Sequence, residues 1–295
     1  EVHYSSLNYK DALSANGSPG VTKSYPHAPG IDAAGVVVES SVSEFSVADK
    51  VIVIGFDLGM NTSGGFGQYI RVPAAWITPL PEGLSLRQSM VIGTAGLTAS
   101  LCVEKLLQQG ASPEQGPVLV SGATGGVGSV AVSLLSKLGF PVLASTGKPD
   151  KVKYLESLGA QSVLPRSELE EANKRPMAAP IYANAIDTVG GEILTNIIKS
   201  LDYQGSVAIC GLVASPVFST TVLPFILRGV NVLGIDSVEL PVLDKTRNWN
   251  RLAAEWSLPN LEEMAIDINL AGLSAAIADI LAAKVAGRVV VDLRS

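Results

Sequence analysis

Apolar positions change their spacing along this chain. In residues 1–86 they come as short runs rich in β-branched side chains, and 35–39 and 50–54 read as strands. The glycine-rich stretch 64–67 reads as a turn into another strand over 69–72. Pro79, Pro81 and Gly83 then break the pattern and predict a domain boundary. From residue 87 onward helix-like and strand-like stretches alternate, which predicts a parallel sheet with helices on both faces. The clearest stretch is 117–146. Residues 117–121 form a short apolar strand, 122–128 a turn. Val127, Val130, Ala131, Leu134, Leu135 and Leu138 then mark one face of a helix. Gly139 supplies its stop, and 140–146 is the next strand, completing one βαβ unit. Further strands are predicted at 181–187, 206–210 and 229–238, and helices from near Pro149 and across 246–251.

Composition narrows the class. The chain has 295 residues, 47% hydrophobic and 16% charged, which excludes a disordered polar tail and gives a two-domain prior at about 150 residues each. A net charge of −6 argues against nucleic acid or a membrane surface as partner. Residues 115–136 and 203–227 lack charge and are long enough to cross a bilayer. Strands buried on both faces of a parallel sheet look equally apolar, and that reading, with no membrane, is preferred. The two cysteines, Cys102 and Cys210, and the two histidines, His3 and His27, show no metal-ligand spacing; a reducing, cytoplasmic setting is expected.

The turn 122–128 carries the candidate chemistry. A pyrophosphate needs backbone N–H donors at close range beside a helix N-terminus, where side chains would block it. Gly125 and Gly128 match the last two glycines of the dinucleotide fingerprint, with Ala123 at its first position. An ordinary tight turn is the alternative. The fingerprint reading makes Thr124, Gly125, Gly126, Val127 and Gly128 cofactor-binding. A site for NAD usually has a carboxylate at the end of the second strand, about 20 residues further on. Here that end reads Ser145, Thr146, Gly147, Lys148, which suits the 2′-phosphate of NADPH; the alternative is that Lys148 is a solvated loop cation. The loops after 181–187 and 206–210 sit at the carboxyl ends of strands. They add Asp187, Thr188, Val189, Cys210, Gly211 and Leu212 as candidate ribose and nicotinamide contacts, with plain turn chemistry as the alternative.

The segments Ser6-Leu7-Asn8-Tyr9-Lys10-Asp11 and Pro29-Gly30-Ile31-Asp32-Ala33-Ala34-Gly35, with the turn 122–128 and Ala185-Ile186-Asp187-Thr188-Val189-Gly190-Gly191, resemble the medium-chain dehydrogenase/reductase superfamily in its zinc-independent quinone-oxidoreductase branch. Residues 225–230, 234–238 and 287–292 bring the resemblance nearest to the YhdH/AcuI type, the acrylyl-CoA reductases, and it spans essentially the whole chain. It implies an α/β protein: a doubly wound Rossmann domain binding NADPH over 87–238, and a mainly β, GroES-like catalytic domain over 1–86 completed by a return segment, 239–295, with a cleft between them. It also places Glu1 past the family's opening strands.

The implied activity is metal-free hydride transfer from NADPH to the β-carbon of an activated alkene, acrylyl-CoA becoming propanoyl-CoA. A general NADPH:quinone or enone oxidoreductase is the alternative, and a non-catalytic NADPH-binding protein a third reading. Asn8, Tyr9 and Arg288 are the implied catalytic residues. Asn8 would donate a hydrogen bond, Tyr9 shape the pocket or relay a proton, and Arg288 polarise a carbonyl or anchor an anion. A helix cap at Asn8, a surface ion pair at Arg288 and a loop-orienting role for Asp32 are the plainer readings. Arg166, Phe225 and Ile226 are implied on the cofactor side. Arg247 and Arg251 share a helix face, either simply solvated or receiving coenzyme A phosphates. The final Rossmann strand, 229–238, is an expected edge for a homodimer.

Overall fold

A computed structural model describes residues 1–171 and 175–295. The chain divides into two units, Glu1–Leu97 with Ser237–Ser295, and Thr98–Asp236. The chain begins with β1 (Val2–Ser6), α1 (Tyr9–Ala15), β2 (Asp32–Val36), β3 (Lys50–Ile54), β4 (Ile77–Pro79) and α2 (Leu86–Gln108). Then come β5 (Val118–Val120), α3 (Gly126–Lys137), β6 (Val142–Thr146), α4 (Val152–Ser157), β7 (Ser162–Pro165), α5 (Ser167–Glu170), β8 (Tyr182–Asp187), α6 (Gly191–Ser200), β9 (Leu201–Ile209), α7 (Leu223–Arg228) and β10 (Asn231–Gly234). The chain ends with α8 (Val242–Ala253), β11 (Ala265–Asn269), α9 (Leu273–Leu281) and β12 (Arg288–Asp292).

In the first unit six strands lie in the order β11-β12-β1-β2-β3-β4. Pairing is antiparallel from β12 through β4, and only β11 joins β12 in parallel. The core gathers Val2, Leu7, Val53, Leu58, Val289 and Val291, and α9 covers it with Leu273, Ile277 and Ile280. The β-branched run 50–54 is a strand as expected, whereas 35–39 is not: the strand is Asp32–Val36, fixed by the pairing of Asp32 with Ile54. Residues 69–72 also form no strand. Ile70 and Val72 pack on the core while Tyr69 points outward, so the alternation is real, but the ladder partner of β3 is Ile77–Pro79. Pro79, read as a breaker, is tolerated because β4 is a sheet edge. The return segment is tied in by Lys245 of α8, whose buried Nζ donates to the carbonyls of Ile54 and Val238, both at 2.8 Å, and lies 3.4 Å over the Phe56 ring.

The second unit holds a six-stranded, fully parallel sheet in the order β10-β9-β8-β5-β6-β7. Counted from β5, this is the doubly wound order 3-2-1-4-5-6 of dinucleotide-binding sheets, and the direction of winding reverses between β5 and β8. Buried throughout, β5 is continuously apolar, while β8 buries Asn184 and Asp187 among apolar and small residues. The helix face predicted for α3 is buried at Val130, Ala131, Leu134 and Leu135. The final strand is shorter than 229–238, because Gly229 at φ 63° closes α7 and only Asn231–Gly234 pairs with β9.

Neither uncharged stretch is a single helix: 115–136 folds as strand, turn and helix, and 203–227 as strand, loop and short helix. Among the described residues α2 is the one helix long and apolar enough to cross a membrane, and 83% of its apolar window is buried inside the protein. The division between units falls within α2, past residue 87. The helix is broken at Gly93 (φ 53°, ψ −162°).

Candidate functional site

The first candidate surface is the turn that joins β5 to α3, at the point where the sheet order reverses. Open parallel sheets bind ligands at such a point, outside the carboxyl ends of their strands. Two glycines make the turn possible. A Cβ on Gly128 would lie 2.4 Å from the Gly122 carbonyl oxygen, so any side chain there would force the helix off the turn. Gly122 has φ +58°, and its missing Cβ leaves room for Thr188 Oγ1 at 2.3 Å. The turn is then fixed from below. Ala123 N–H donates to the Ser145 carbonyl at 2.9 Å, and the buried hydroxyls of Thr124 and Thr146 meet at 3.1 Å. Gly125, Gly126 and Val127 remain partly exposed at the start of α3, which has no side-chain cap and no acidic residue in its first turn. Unfilled N–H groups, the positive end of the helix dipole and absent side chains together fit a phosphate.

Beside the turn, the end of β6 opens onto a hollow of about 340 Å3 lined by Thr146, Gly147, Val152, Leu164, Arg166 and Glu170 among others. Arg166 N–H donates to the Thr146 carbonyl at 2.9 Å, and the guanidinium lies over Gly147, where a Cβ would come within 3.2 Å of Cζ. The Arg166 Nε is paired with Glu170 at 2.8 Å. Lys148 does not line this hollow; its burial, first, then nearby Lys151, lowers its pKa, with Asp150 acting the other way. Ser145 is buried and joins the turn through its backbone. Of Lys148 and Arg166, it is Arg166 that the fold places on the hollow.

Asp187 holds the neighbouring loops together. Its carboxylate accepts from Ser121 Oγ at 2.6 Å, Gly190 N–H at 2.8 Å and Val189 N–H at 3.4 Å. Burial raises its pKa, while those three bonds oppose the rise. Thr188 Oγ1 donates to the Ser121 carbonyl at 2.9 Å, and Cys210 N–H to the Asp187 carbonyl at 3.0 Å. Gly211 sits so close that a Cβ would be 1.9 Å from the Thr188 carbonyl oxygen. Asp187 and Thr188, expected as ribose contacts, therefore spend their side chains on positioning the loops. Val189 is buried, Leu212 and Ile226 are exposed, and Phe225 packs partly against the core of this unit. Burial, and secondarily the neighbouring Cys210, pushes the Cys102 thiol well up.

The second candidate surface lies in the first unit and centres on Asp32. Its fully buried carboxylate accepts from Ser6 Oγ, from Asn8 Nδ2 at 2.8 Å, from Thr94 N–H at 2.9 Å and from Thr94 Oγ1. Arg288, 3% exposed, stands 3.9 Å away. Its Nε donates to the Val91 carbonyl at 2.9 Å, NH2 to Ser6 Oγ at 2.9 Å and NH1 to Asn8 Oδ1 at 3.4 Å. Gly93 lets the backbone close over this cluster, since a Cβ there would come within 2.5 Å of Ser6 Oγ. A buried charge pair survives only when hydrogen bonds satisfy both partners, and here they do.

Arg288 is thus no surface pair, and its donors are turned inward, which leaves no guanidinium edge presented to a substrate anion. Asn8 is the N-cap of α1 and forms a capping box with Asp11, as its plainer reading expected, its N–H donating to Asp11 Oδ2 at 2.8 Å. Its Nδ2 also donates to Asp32 and to the Ser6 carbonyl. Asp11 also accepts from Ile31 N–H at 2.8 Å and Gly30 N–H at 3.2 Å. Burial, and then the charge of Asp32, raise its pKa to about 7 against those bonds. Tyr9, at the first position of α1, is partly buried, and among the described residues its hydroxyl has no hydrogen-bond partner.

The sequence reading missed Ser6, Gly93 and Thr94 as members of this cluster. The one local signal for them was a glycine inside an otherwise continuous helical run. Arg247 and Arg251 do share a face of α8, beside a hollow of about 440 Å3, but each already has a carboxylate: Asp244 at 2.7 Å and Glu255 at 2.9 Å. Among the described residues no group of three or more His, Cys, Asp or Glu is placed to hold a metal ion.

Comparison with known proteins assigns both units. Residues 1–82 match the alcohol dehydrogenase GroES-like domain, and residues 126–255 match the zinc-binding dehydrogenase family. The acrylyl-CoA reductase AcuI of Ruegeria pomeroyi is 46% identical over 294 residues, covering 100% of this chain and 89% of the relative. The yhdH oxidoreductase of Salmonella enterica, solved in complex with NADP, superposes with a TM-score of 0.96 at 42% identity, over 99% of this chain and 90% of that one. The putative quinone oxidoreductase YhfP of Bacillus subtilis is 42% identical over 99% of this chain and 89% of its own length. The yhfP structure with NAD bound gives a TM-score of 0.95, over 99% of this chain and 89% of that one. Spanned end to end by such relatives, the chain belongs to the medium-chain dehydrogenase/reductase superfamily, in the group that contains the YhdH/AcuI acrylyl-CoA reductases and quinone oxidoreductase-like proteins.

Proposed function

We propose that this protein is an NADPH-dependent reductase that adds hydride to the β-carbon of an alkene conjugated to a thioester, converting acrylyl-CoA to propanoyl-CoA. The observation that carries the cofactor half is the glycine-rich turn at the N-terminus of α3, set where the sheet order reverses. The N–H groups of Gly126, Val127 and Gly128 would hold the pyrophosphate, and Arg166 the 2′-phosphate. When bound, NADPH supplies the hydride. Support for the acceptor is the full-length likeness to the Ruegeria pomeroyi acrylyl-CoA reductase.

Hydride arrival at the β-carbon leaves an enolate, whose oxygen needs a hydrogen-bond donor and whose α-carbon needs a proton. Tyr9 is the member of the expected catalytic trio with an uncommitted hydroxyl, so it is assigned the contact to the thioester oxygen or the proton relay. Asn8 and Arg288 act as positioning residues. Arg288 and Asp32 fix the Asn8 amide from both ends, and Asn8 begins the helix that presents Tyr9.

A second reading, an NADPH:quinone or enone oxidoreductase, is favoured by the likeness to YhfP. NADPH oxidation by the purified protein against acryloyl-CoA, simple enones and a benzoquinone separates the two. The proposal expects the highest kcat/KM with acryloyl-CoA; a higher value with the quinone replaces it with the second reading. We also propose a homodimer paired through β10, an edge strand of the parallel sheet, with the exposed Ile226 and Leu227 of α7, which packs on neighbouring β9, working in the cytoplasm.

A further inference from the structure

Arg166 does not stand alone on its hollow. Its Nε is held by Glu170 at 2.8 Å, one turn further along the chain, and both side chains are about half exposed. Both line the hollow at the end of β6 together with Thr146 and Gly147, against an apolar wall of Val152, Val163 and Leu164. A guanidinium has five N–H donors in a fixed fork. Glu170 takes the Nε side, and among the described residues the two terminal nitrogens of Arg166, which lines the hollow, have no hydrogen-bond partner. A 2′-phosphate binding there would bring its negative charge near a carboxylate that is already in place. Charges several ångströms apart at a protein surface interact appreciably, more so at low salt. The same carboxylate is an acceptor for an unphosphorylated ribose hydroxyl, the part a strand-end Asp or Glu plays in NAD-binding sites. Here the strand end itself, from Ser145 to Lys148, has no carboxylate, and Glu170 supplies one from α5 instead.

We propose that Glu170 is a specificity-determining residue that opposes the 2′-phosphate at Arg166 and so limits the preference for NADPH over NADH. The proposal rests on the NADPH reading above and adds to it a residue working against that preference.

Calorimetric titration of the full-length protein with 2′-AMP and 5′-AMP tests this directly. In the Glu170→Gln variant the amide oxygen can still accept from Arg166 Nε while the charge is gone. Its Kd for 2′-AMP is expected to fall about three- to tenfold at low salt, with that for 5′-AMP within about twofold of wild type. Raising the salt to about 0.5 M should narrow the gain, a response that a merely structural role for Glu170 would not show. An unchanged or weakened 2′-AMP affinity in Glu170→Gln, beside normal NADPH binding by wild type, overturns the role of Glu170 and leaves the cofactor reading intact. Failure of the wild-type protein to bind NADPH or either nucleotide overturns both.

Discussion

At the scale of single residues, buried polar groups set the terms. Arg288 and Asp32 are both inaccessible and form an ion pair; Ser6, Asn8 and Thr94 hydrogen-bond Asp32, and Ser6, Asn8 and the Val91 carbonyl hydrogen-bond Arg288. Replacing Arg288 with Ala leaves the Asp32 charge buried without its cation, a change that typically costs about 3–5 kcal/mol. Urea unfolding should show that loss for Arg288→Ala. The double variant Arg288→Met, Asp32→Asn should recover part of it, because it removes both charges. If Arg288 instead touched substrate from a solvated surface, the single variant would lose activity with little change in stability. Asp11 gives a pH signature. Its pKa in the fold, about 7, lies above the ordinary 3.8, so the native state keeps this proton to higher pH than the unfolded chain does. The group's contribution is therefore complete below about pH 4 and is lost as pH rises through 7, by at most about 1.4 kcal/mol per pH unit. Thermal melts of wild type and Asp11→Asn across pH 4–8 should diverge in that window, with the wild type falling relative to the variant. Parallel profiles would place the Asp11 pKa near its ordinary value.

At the scale of elements, the β5–turn–α3 unit was legible because its contacts are local. The apolar spacing of 127–138, the stop at Gly139 and the glycines at 125 and 128 all lie within one βαβ unit. The reason Gly128 must be glycine is equally local: its Cβ would strike the Gly122 carbonyl. Gly128→Val is expected to raise the Kd for NADPH at least a hundredfold, measured by the quenching of protein fluorescence, and to lower Tm as helix and turn separate. The strand over 69–72 was misread because alternation in burial does not require a ladder partner. Ile70 and Val72 found the core without pairing, while β4, three residues containing a proline, took the edge. Lys148 was favoured over Arg166 by proximity to the strand end in sequence, but β7 returns Arg166 to that same end. Arg166→Gln should therefore reduce the NADPH/NADH ratio of kcat/KM more than Lys148→Gln does. The reverse ranking would return the 2′-phosphate to Lys148.

At the scale of the whole molecule, each unit has its own six-stranded sheet, β10 is an edge of the parallel one, and α7, packed beside β9, exposes Ile226 and Leu227. Light scattering on the full-length protein is expected to give twice the chain mass, and Ile226→Lys with Leu227→Lys to give the monomer; a monomeric wild type would remove the proposed pairing. The sequence by itself determined the fold class, the glycine turn between β5 and α3 and the family, because hydrophobic period, glycine placement and short-range turns are read from neighbouring residues. What only the tertiary structure decided is the company each candidate keeps. Arg288 meets Asn8 across 280 positions of chain, and Thr94 meets Asp32 across 62. Asp187 likewise meets Ser121 across 66. Burial, and the hydrogen bonds a buried charge must then find, belong to three-dimensional neighbours, and no spacing along the chain encodes them.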